Sequence, residues 1–419
     1  MKKRAMSLAL SVMFLTTSIV YGNEEIKYYN LNDLTRLVLE DNAEINSIDA
    51  NAQQAKIQYE MMEEDYEELK ENIEKVRKNL ETRRKLTEQA KEEYEMAGGS
   101  FLERDRTYIN YKTNLEIEKN VEQQYQRMVK EQAQSMKQME NMVFTGKNSK
   151  VIQEQESEKL KLQVQKDYYN LVVLDEQIKL TEGRLEGQDV TIRVEAAKAR
   201  LNMATSVSVE SLKSQRRALE LSISEMEANR KTLVDSLINT VGLDATEDFD
   251  ILLEVPTTLN LQKFELDTLM NSFKEKNSDL VTLKKNVTIQ QEVITNMELG
   301  FKEDDNDYKL SLLQLETDLL NLNKYEQTVD QYIKNLYYQY ERSKETVYQQ
   351  IENKKVLDEQ LRQMEVQHEL GLISDMQMSS YRQDYHQSVF DYQKAFIDLA
   401  NTRKEVDLVL KGAMATSSR

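Results

Sequence analysis

The sequence predicts an all-α protein made of two tandem hairpins of long helices, and three observations lead to that prediction. Proline occurs once and glycine ten times in 419 residues, far below the ~5% and ~7% of ordinary proteins, so turns are few. Charged residues make up 31% and hydrophobic residues 39% of the chain, which favours helices packed along narrow coiled-coil seams over one large core. The chain also contains an internal repeat.

The amino terminus has the pattern of a secretion signal. Three basic residues at positions 2–4 precede an apolar run at positions 5–20, and Gly22 provides a small residue for cleavage. The run is shorter than the ~20 residues of a membrane-spanning helix, so a retained anchor is the less favoured alternative. Cleavage would make the formal net charge three units more negative than −18. We therefore expect an exported, strongly acidic protein of the cell envelope.

Composition also excludes several kinds of site. The chain has no cysteine, and His368 and His386 are its only histidines, so thiolate and imidazole chemistry has almost no residues to use. The acidic charge argues against nucleic acid as a partner, because phosphates are bound by clustered Lys and Arg. No nucleophile–base pair, phosphate loop or metal spacing occurs. We expect no enzymatic activity, no catalytic residues, no cofactor and no metal.

Rare helix-breaking segments divide the chain. Between these segments, apolar residues recur at intervals of three and four residues, as they do on one face of a helix. The longest such pattern runs from about Lys309 to Glu369, which corresponds to a helix of roughly 90 Å. The breaks are expected at residues 98–100, 146–148, 202–207, 242–260, 304–307 and 371–374.

The two halves of the chain begin and end alike. Residues 40–45 (EDNAEI) are echoed by residues 275–280 (EKNSDL), and residues 228–231 (ANRK) by residues 400–404 (ANTRK). Such a repeat indicates two structural units of the same design. The expected boundaries are 1–22 for the signal peptide, 23–243 for the first hairpin repeat with a helical insertion at about 70–150, 244–258 for a linker, 259–412 for the second hairpin repeat and 413–419 for a disordered tail.

Each half contains a tight polar turn between two long helices, at residues 202–206 (NMATS) and 371–375 (GLISD). Asn202 and Gly371 suit the left-handed position that closes a helix. Thr205 and Ser374 suit the N-cap that opens the next helix. Each half is therefore predicted to be a long hairpin with a tight tip.

These repeated starts, tips and ends, taken together, resemble the TolC family of outer-membrane efflux proteins over residues 28 to 412. The resemblance implies a homotrimer whose hairpins close into a hollow helical cylinder. It also implies docking with a membrane-fusion adaptor protein and an inner-membrane transporter, for the export of drugs or polypeptides. The candidate adaptor-docking residues are Asn202, Thr205, Ser206, Gly371, Leu372 and Ser374.

The sequence departs from the family pattern where each repeat should carry two membrane strands. The second half offers only residues 303–308 there, too few for two strands of ~9–11 residues. In the first half, residues 109–117 alternate as a strand would, but flanks rich in Glu, Gln and Met favour helix. We therefore predict little or no β-barrel.

A second departure concerns the carboxylate that the family often places about six residues after the tip glycine. Gln377 and Ser208 occupy those positions. Glu210 and Asp375 are nearby candidates for a charge at the entrance, although a solvated carboxylate at a helix start is the simpler interpretation.

Two functions remain open. The first is an efflux or secretion duct of the TolC type, located in the outer membrane and periplasm or at the surface of a single-membrane cell. The second is a non-conducting coiled-coil scaffold of the envelope. The duplication favours the duct, because paired hairpins of equal design can tile into a closed cylinder.

Overall fold

The structure is a computed structural model that describes residues 27–40, 42–98, 101–243, 249–256, 262–298, 301 and 304–415. The predicted signal peptide at 1–22 lies outside these residues. The elements in chain order are β1 (Lys27–Tyr29), α1 (Leu31–Glu40), α2 (Ala43–Met96), α3 (Phe101–Arg200), α4 (Ser206–Val241), β2 (Phe249–Ile251), α5 (Leu266–Lys276), α6 (Ser278–Met297), α7 (Asn306–Glu369) and α8 (Asp375–Leu410).

The all-α tandem-repeat fold is confirmed, because α1–α4 and α5–α8 follow the same plan. The last helices, α4 and α8, both have 36 residues. The middle helices differ, with 54 residues in α2 against 20 in α6, and 100 in α3 against 64 in α7. The first repeat is thus extended by a long helical hairpin formed by the end of α2 and the start of α3.

Two expectations about α3 have different outcomes. Residues 109–117, for which strand and helix were both open, are helical. The break expected at residues 146–148 is wrong, since α3 continues through Gly146. One glycine costs a helix only about 1 kcal/mol relative to alanine, and the long helix-forming flanks outweigh that cost.

The predicted seam of α7 is only partly buried. Val329, Ile333, Leu336 and Tyr340 are buried against α5 and α8. Earlier in the helix, leucines of the same pattern such as Leu312 are exposed. The spacing of the apolar residues therefore predicted the helix correctly. It did not predict over what length other helices cover this face.

Each repeat buries its short first helix in the same way. Leu34 and Val38 of α1 and Leu269 and Phe273 of α5 are fully buried, at the fourth and eighth positions of their helices. This spacing places both side chains on one face of the helix. The first repeat also holds the parallel pair β1–β2, so part of the segment expected as a linker forms a short strand.

The repeated sequence motif at the start of each half is a helix N-cap. Asn42 Oδ1 accepts a hydrogen bond from the backbone N–H of Ile45 at 3.2 Å, and Asn277 Oδ1 accepts one from Leu280 at 2.8 Å. An asparagine in this position satisfies a backbone donor that the helix itself leaves free. The echo between residues 40–45 and 275–280 thus has a structural cause.

A polar junction ties the second repeat to the first. Buried Asn277 donates through Nδ2 to the Gly412 carbonyl at 2.9 Å. Gln155 of α3 donates through Nε2 to the carbonyls of Lys276, at 3.1 Å, and Lys411, at 2.9 Å. Gly412 has φ +81°, and a Cβ there would lie 2.7 Å from Lys276. One side chain of the first repeat therefore holds both the start and the end of the second.

A buried carboxylate lies beside this junction. Glu158 accepts hydrogen bonds from Lys404 at 2.6 Å and Lys161 at 3.0 Å, and pairs with Lys411 at 3.2 Å. Burial opposes its ionisation, but the hydrogen bonds and charges of Lys404 and Lys161 outweigh burial and lower the pKa of Glu158 from 4.5 to about 2. The repeats are thus joined by charge as well as by packing.

Helices α4, α3, α8 and α7 pack side by side in that order and form one layer, with α4 and α7 at its edges. Between α3 and α8 the contacts cross the repeats, as where Gln165 donates to the Ala400 carbonyl at 3.2 Å. The tail expected at 413–419 is packed at its beginning, since Ala413 is buried and the Ala415 N–H donates to the Tyr332 hydroxyl. Residues 416–419 lie outside the described part.

The α2–α3 hairpin extends beyond the second repeat. Near the α6–α7 connection, the Tyr125 hydroxyl donates to the Asn296 carbonyl at 3.4 Å, and Lys130 pairs with Asp307 at 2.5 Å. From Tyr125 back to Phe101, α3 continues for another 24 residues, about 36 Å at 1.5 Å per residue. Over this length α3 is paired with α2.

The two asparagine caps differ in burial, and so should their contributions to stability. Replacing Asn277 with Ala removes the cap and leaves the Gly412 carbonyl without its side-chain donor, so we expect the free energy of unfolding to fall by about 2–3 kcal/mol. Asn42→Ala, the matched control, should cost about 1 kcal/mol. Urea unfolding followed by circular dichroism measures both. Equal losses would contradict the importance of the junction.

The carboxylate of Glu158 should make stability depend on pH. Because its folded pKa lies below its ordinary value of 4.5, its contribution is complete above pH 4.5 and is lost as the pH falls towards 2. We expect Glu158→Gln to lower the free energy of unfolding by roughly 1–3 kcal/mol at pH 7, with the difference from wild type shrinking below pH 4.5. Thermal melts at several pH values measure this.

The control is Glu154→Gln, which removes a more exposed carboxylate that pairs with Lys411 at 3.0 Å. Exposed ion pairs contribute little, so it should change the free energy of unfolding by under about 0.5 kcal/mol. A difference between Glu158→Gln and wild type that stayed constant from pH 7 to pH 3 would refute the assignment.

Candidate docking tips

The first tip is the turn between α3 and α4. Asn202 has φ +59°, and the Met203 N–H donates back to the Lys198 carbonyl at 2.8 Å. Thr205 is extended, and its hydroxyl accepts a hydrogen bond from the Ser208 N–H at 3.1 Å. The predicted left-handed closure and N-cap are therefore present in this tip.

The second tip, between α7 and α8, repeats this geometry. Gly371 has φ +69°, and the Leu372 N–H donates to the Gln367 carbonyl at 2.8 Å. Ser374 is the N-cap of α8 and forms a capping box with Gln377, whose side chain accepts from the Ser374 N–H at 3.0 Å. Gln377, in the slot where a carboxylate was sought, therefore stabilises the helix start.

The two tips match residue for residue at an offset of 169. This match aligns Asn202 with Gly371 and Thr205 with Ser374. It also aligns three pairs of apolar side chains, all of them exposed: Leu201 with Leu370, Met203 with Leu372, and Val207 with Met376. Both tips thus present the same small apolar surface, next to polar caps whose hydrogen bonds are internal.

The two candidate entrance carboxylates, Glu210 and Asp375, lie on different helices and have different partners. Glu210 is exposed on α4, where a hydrogen bond from Lys213 at 2.8 Å lowers the pKa of its carboxyl. Asp375 is exposed at the start of α8, close to the positive end of the helix dipole, and lies 2.8 Å from Nε2 of His368. Both carboxylates have local partners within their own hairpin.

Just above the second tip, α3 and α8 approach each other closely. An added Cβ on Gly187 would lie 1.7 Å from Nε2 of Gln383, so a larger residue there would require the Gln383 side chain to move. The cavity beside it has a volume of about 260 Å³ and is lined by both histidines, His368 and His386, with Arg382.

The local sequence predicts the caps of the tips but not most of their exposed apolar residues. Of the six exposed side chains, only Leu372 was among the candidates. Aligning the two tips at their common offset would have revealed the others, because an apolar residue recurs at each matched position.

The described residues lack two other features. Within them, no helix is both long and apolar enough to cross a membrane. They also contain no cluster of three or more His, Cys, Asp or Glu side chains that could hold a metal ion.

Comparison with solved structures places this geometry among known folds. The open state of the MtrE outer membrane channel of Neisseria gonorrhoeae is 11% identical, with a TM-score of 0.52 over 93% of this chain and 91% of that chain. A membrane protein of Pseudomonas aeruginosa is 10% identical, with a TM-score of 0.49 over 93% and 92%. CusC is 10% identical, with a TM-score of 0.47 over 91% and 95%. No family model and no curated protein matches the sequence.

The likeness to MtrE extends over nearly the whole of both chains, so it concerns the complete protomer and not one helical hairpin. The chain has the fold of an outer membrane channel protomer. The resemblance to the TolC family that the sequence indicated is thereby confirmed at the level of the fold.

Proposed function

We propose that the protein is one subunit of a trimeric helical duct of the cell envelope, and that its hairpin tips dock with a membrane-fusion adaptor and an inner-membrane transporter. The observation that carries this proposal is a second apolar stripe on α7. A helix with apolar residues on two faces requires a partner on each, and its own chain covers only one.

The buried face of α7 includes Val329, Ile333 and Leu336, which pack on α5 and α8. On the opposite face, four large apolar residues are exposed, and they follow one another at intervals of 7, 18 and 18 residues: Leu313, Leu320, Tyr338 and Val356. These intervals are close to whole numbers of turns at 3.6 residues per turn, so the side chains lie on one line.

The position of α7 in the layer indicates what covers this stripe. Helices α7 and α4 form the two edges of the α4–α3–α8–α7 layer, and α4 also exposes an apolar residue, Leu221. Joining α7 of one copy to α4 of the next makes a head-to-tail contact, which closes into a ring when the rotation fits. Three copies supply twelve long helices for a hollow cylinder.

The tips support the docking role by their chemistry. The cap side chains of Thr205, Ser374 and Gln377 are hydrogen-bonded within their own turns, whereas the apolar pairs beside them are exposed and open to a partner. Apolar side chains on a convex turn suit insertion between helices of another protein. The exported cargo in this proposal is a drug or a polypeptide, the classes implied by the family resemblance.

Loss of the α7 stripe should prevent assembly. We expect the purified chain to form a trimer with a central lumen, and Leu313→Ser with Leu320→Ser to convert it to monomers, because these side chains are exposed in the single chain and buried only in the assembly. Native mass spectrometry and electron microscopy measure mass and lumen. A wild-type monomer, or an elongated dimer of the kind expected for a scaffold, would refute the duct.

Loss of the tip apolar pairs should prevent docking without affecting assembly. We expect Leu201→Ser with Leu370→Ser to weaken binding of the source cell's membrane-fusion adaptor at least about tenfold, a change typical of losing buried apolar contacts. Calorimetry on the purified trimer measures the affinity. The control is Leu86→Ser, on α2 and remote from both tips, which should bind as wild type does. Unchanged affinity of the tip variant would contradict the docking role.

A further inference from the structure

The free end of the α2–α3 hairpin is apolar. Met96 lies at the end of α2, and Phe101 and Leu102 lie at the start of α3; these side chains are 76%, 85% and 79% exposed. No other large apolar side chain in the described residues is as exposed as these three. The hairpin extends well past the second repeat at this point, so the three side chains have no surface of their own chain to cover them. We call this group the distal tip.

The distal tip has no charged residue, but charged residues flank it directly on both sides. No charged residue occurs between Glu95 and Glu103, although 31% of the chain is charged. The adjoining charges have both signs, with two more acidic than basic residues. They are Lys91, Glu92, Glu93, Glu95, Glu103, Arg104, Asp105 and Arg106. This collar matches a surface that itself carries both signs, and its net negative charge opposes an anionic one.

Three tyrosines lie within about three helical turns of this end: Tyr94 on α2, and Tyr108 and Tyr111 on α3. The rings of Tyr94 and Tyr111 are stacked at 6.3 Å, and that of Tyr108 is 5.4 Å from Tyr94. Tyr108 is seven residues from Phe101, about 10 Å along the helix. The polar headgroup region of a bilayer is roughly 5–8 Å thick on each side. Tyrosine is the residue type enriched at that level.

We propose that the distal tip inserts into a lipid bilayer of zwitterionic character. Met96, Phe101 and Leu102 enter the apolar edge of the near leaflet, the charged collar meets the headgroups, and the tyrosines lie at the headgroup–water boundary. A bilayer accepts a convex apolar wedge without a preformed pocket, whereas a folded protein would need a complementary cavity. The uncharged segment is far shorter than the ~20 residues of a spanning helix, so the insertion is shallow.

This inference does not depend on the duct. A single chain carries the distal tip. If three copies surround one axis, their three tips reach the same plane, and simultaneous insertion strengthens membrane binding without any new contact.

The lack of tryptophan in the chain makes a direct test possible. Phe101→Trp places the only tryptophan at the distal tip, and the control Val207→Trp places it at the opposite end, where the native valine is 75% exposed. Fluorescence of each full-length variant is recorded with phosphatidylcholine vesicles, with and without brominated acyl chains. We expect a blue shift and bromine quenching for Phe101→Trp only.

Several outcomes would overturn the proposal. Absence of quenching in Phe101→Trp excludes insertion, and equal quenching in Val207→Trp means that the vesicles bind the chain without regard to the distal tip. A blue shift of Phe101→Trp that appears without vesicles and grows with protein concentration means that a second copy covers the tip.

A flotation assay gives an independent measurement. Phe101→Ser with Leu102→Ser should lower partitioning onto phosphatidylcholine vesicles at least about tenfold, while Leu201→Ser with Val207→Ser should leave it unchanged. Circular dichroism should be the same for all variants, because the replaced side chains are exposed. Wild-type binding should be weaker on phosphatidylserine-rich vesicles. Stronger binding there would overturn the assignment of a zwitterionic surface.

Discussion

The fold depends on the polar junction at which Gln155 reaches from the first repeat to the backbone on both sides of the second. Its side-chain amide donates to carbonyls at the end of α5 and at the end of α8, and Asn277 links those same two places. Helical hairpins stacked side by side can slide along their axes, because apolar seams repeat every few residues. A buried hydrogen-bonded site has only one register, so it fixes the relative height of the two hairpins.

That register brings the two tips to the same end of the molecule. Asn277 and Gly412 fix where the second repeat begins and ends. The carboxyl ends of α4 and α8 then lie at similar heights, and because both helices have 36 residues, their amino ends at the tips do so as well. Helices α3 and α8 remain packed against each other towards the tips, where Gly187 of α3 faces Gln383 of α8. The buried polar junction thus lies at one end of the layer, and the two candidate docking tips lie at the other.

What the sequence predicted correctly follows from local physics. The turns at Asn202 and Gly371 could be found because a left-handed residue followed by an N-cap is a signal contained in a few residues. The incorrect break at Gly146 arose because one glycine was weighed without the helical length on either side. Gln155 could not be found at all, since its role depends on three segments that are distant in sequence and meet only in the folded chain. The exposed apolar residues on α7 were not predicted for the same reason. The spacing of apolar residues along a helix does not say which of its faces another helix covers.

Helix α3 runs without interruption for 100 residues, roughly 150 Å, from the distal tip to the first candidate docking tip. Its two ends therefore contact different surroundings through a single rigid rod. The number of residues in α3 sets the distance between the distal tip and the first docking tip. An insertion or deletion of whole heptads would change that distance in steps of about 10 Å while keeping the packing face. Changes that do not correspond to a whole number of helical turns would also rotate one end relative to the other.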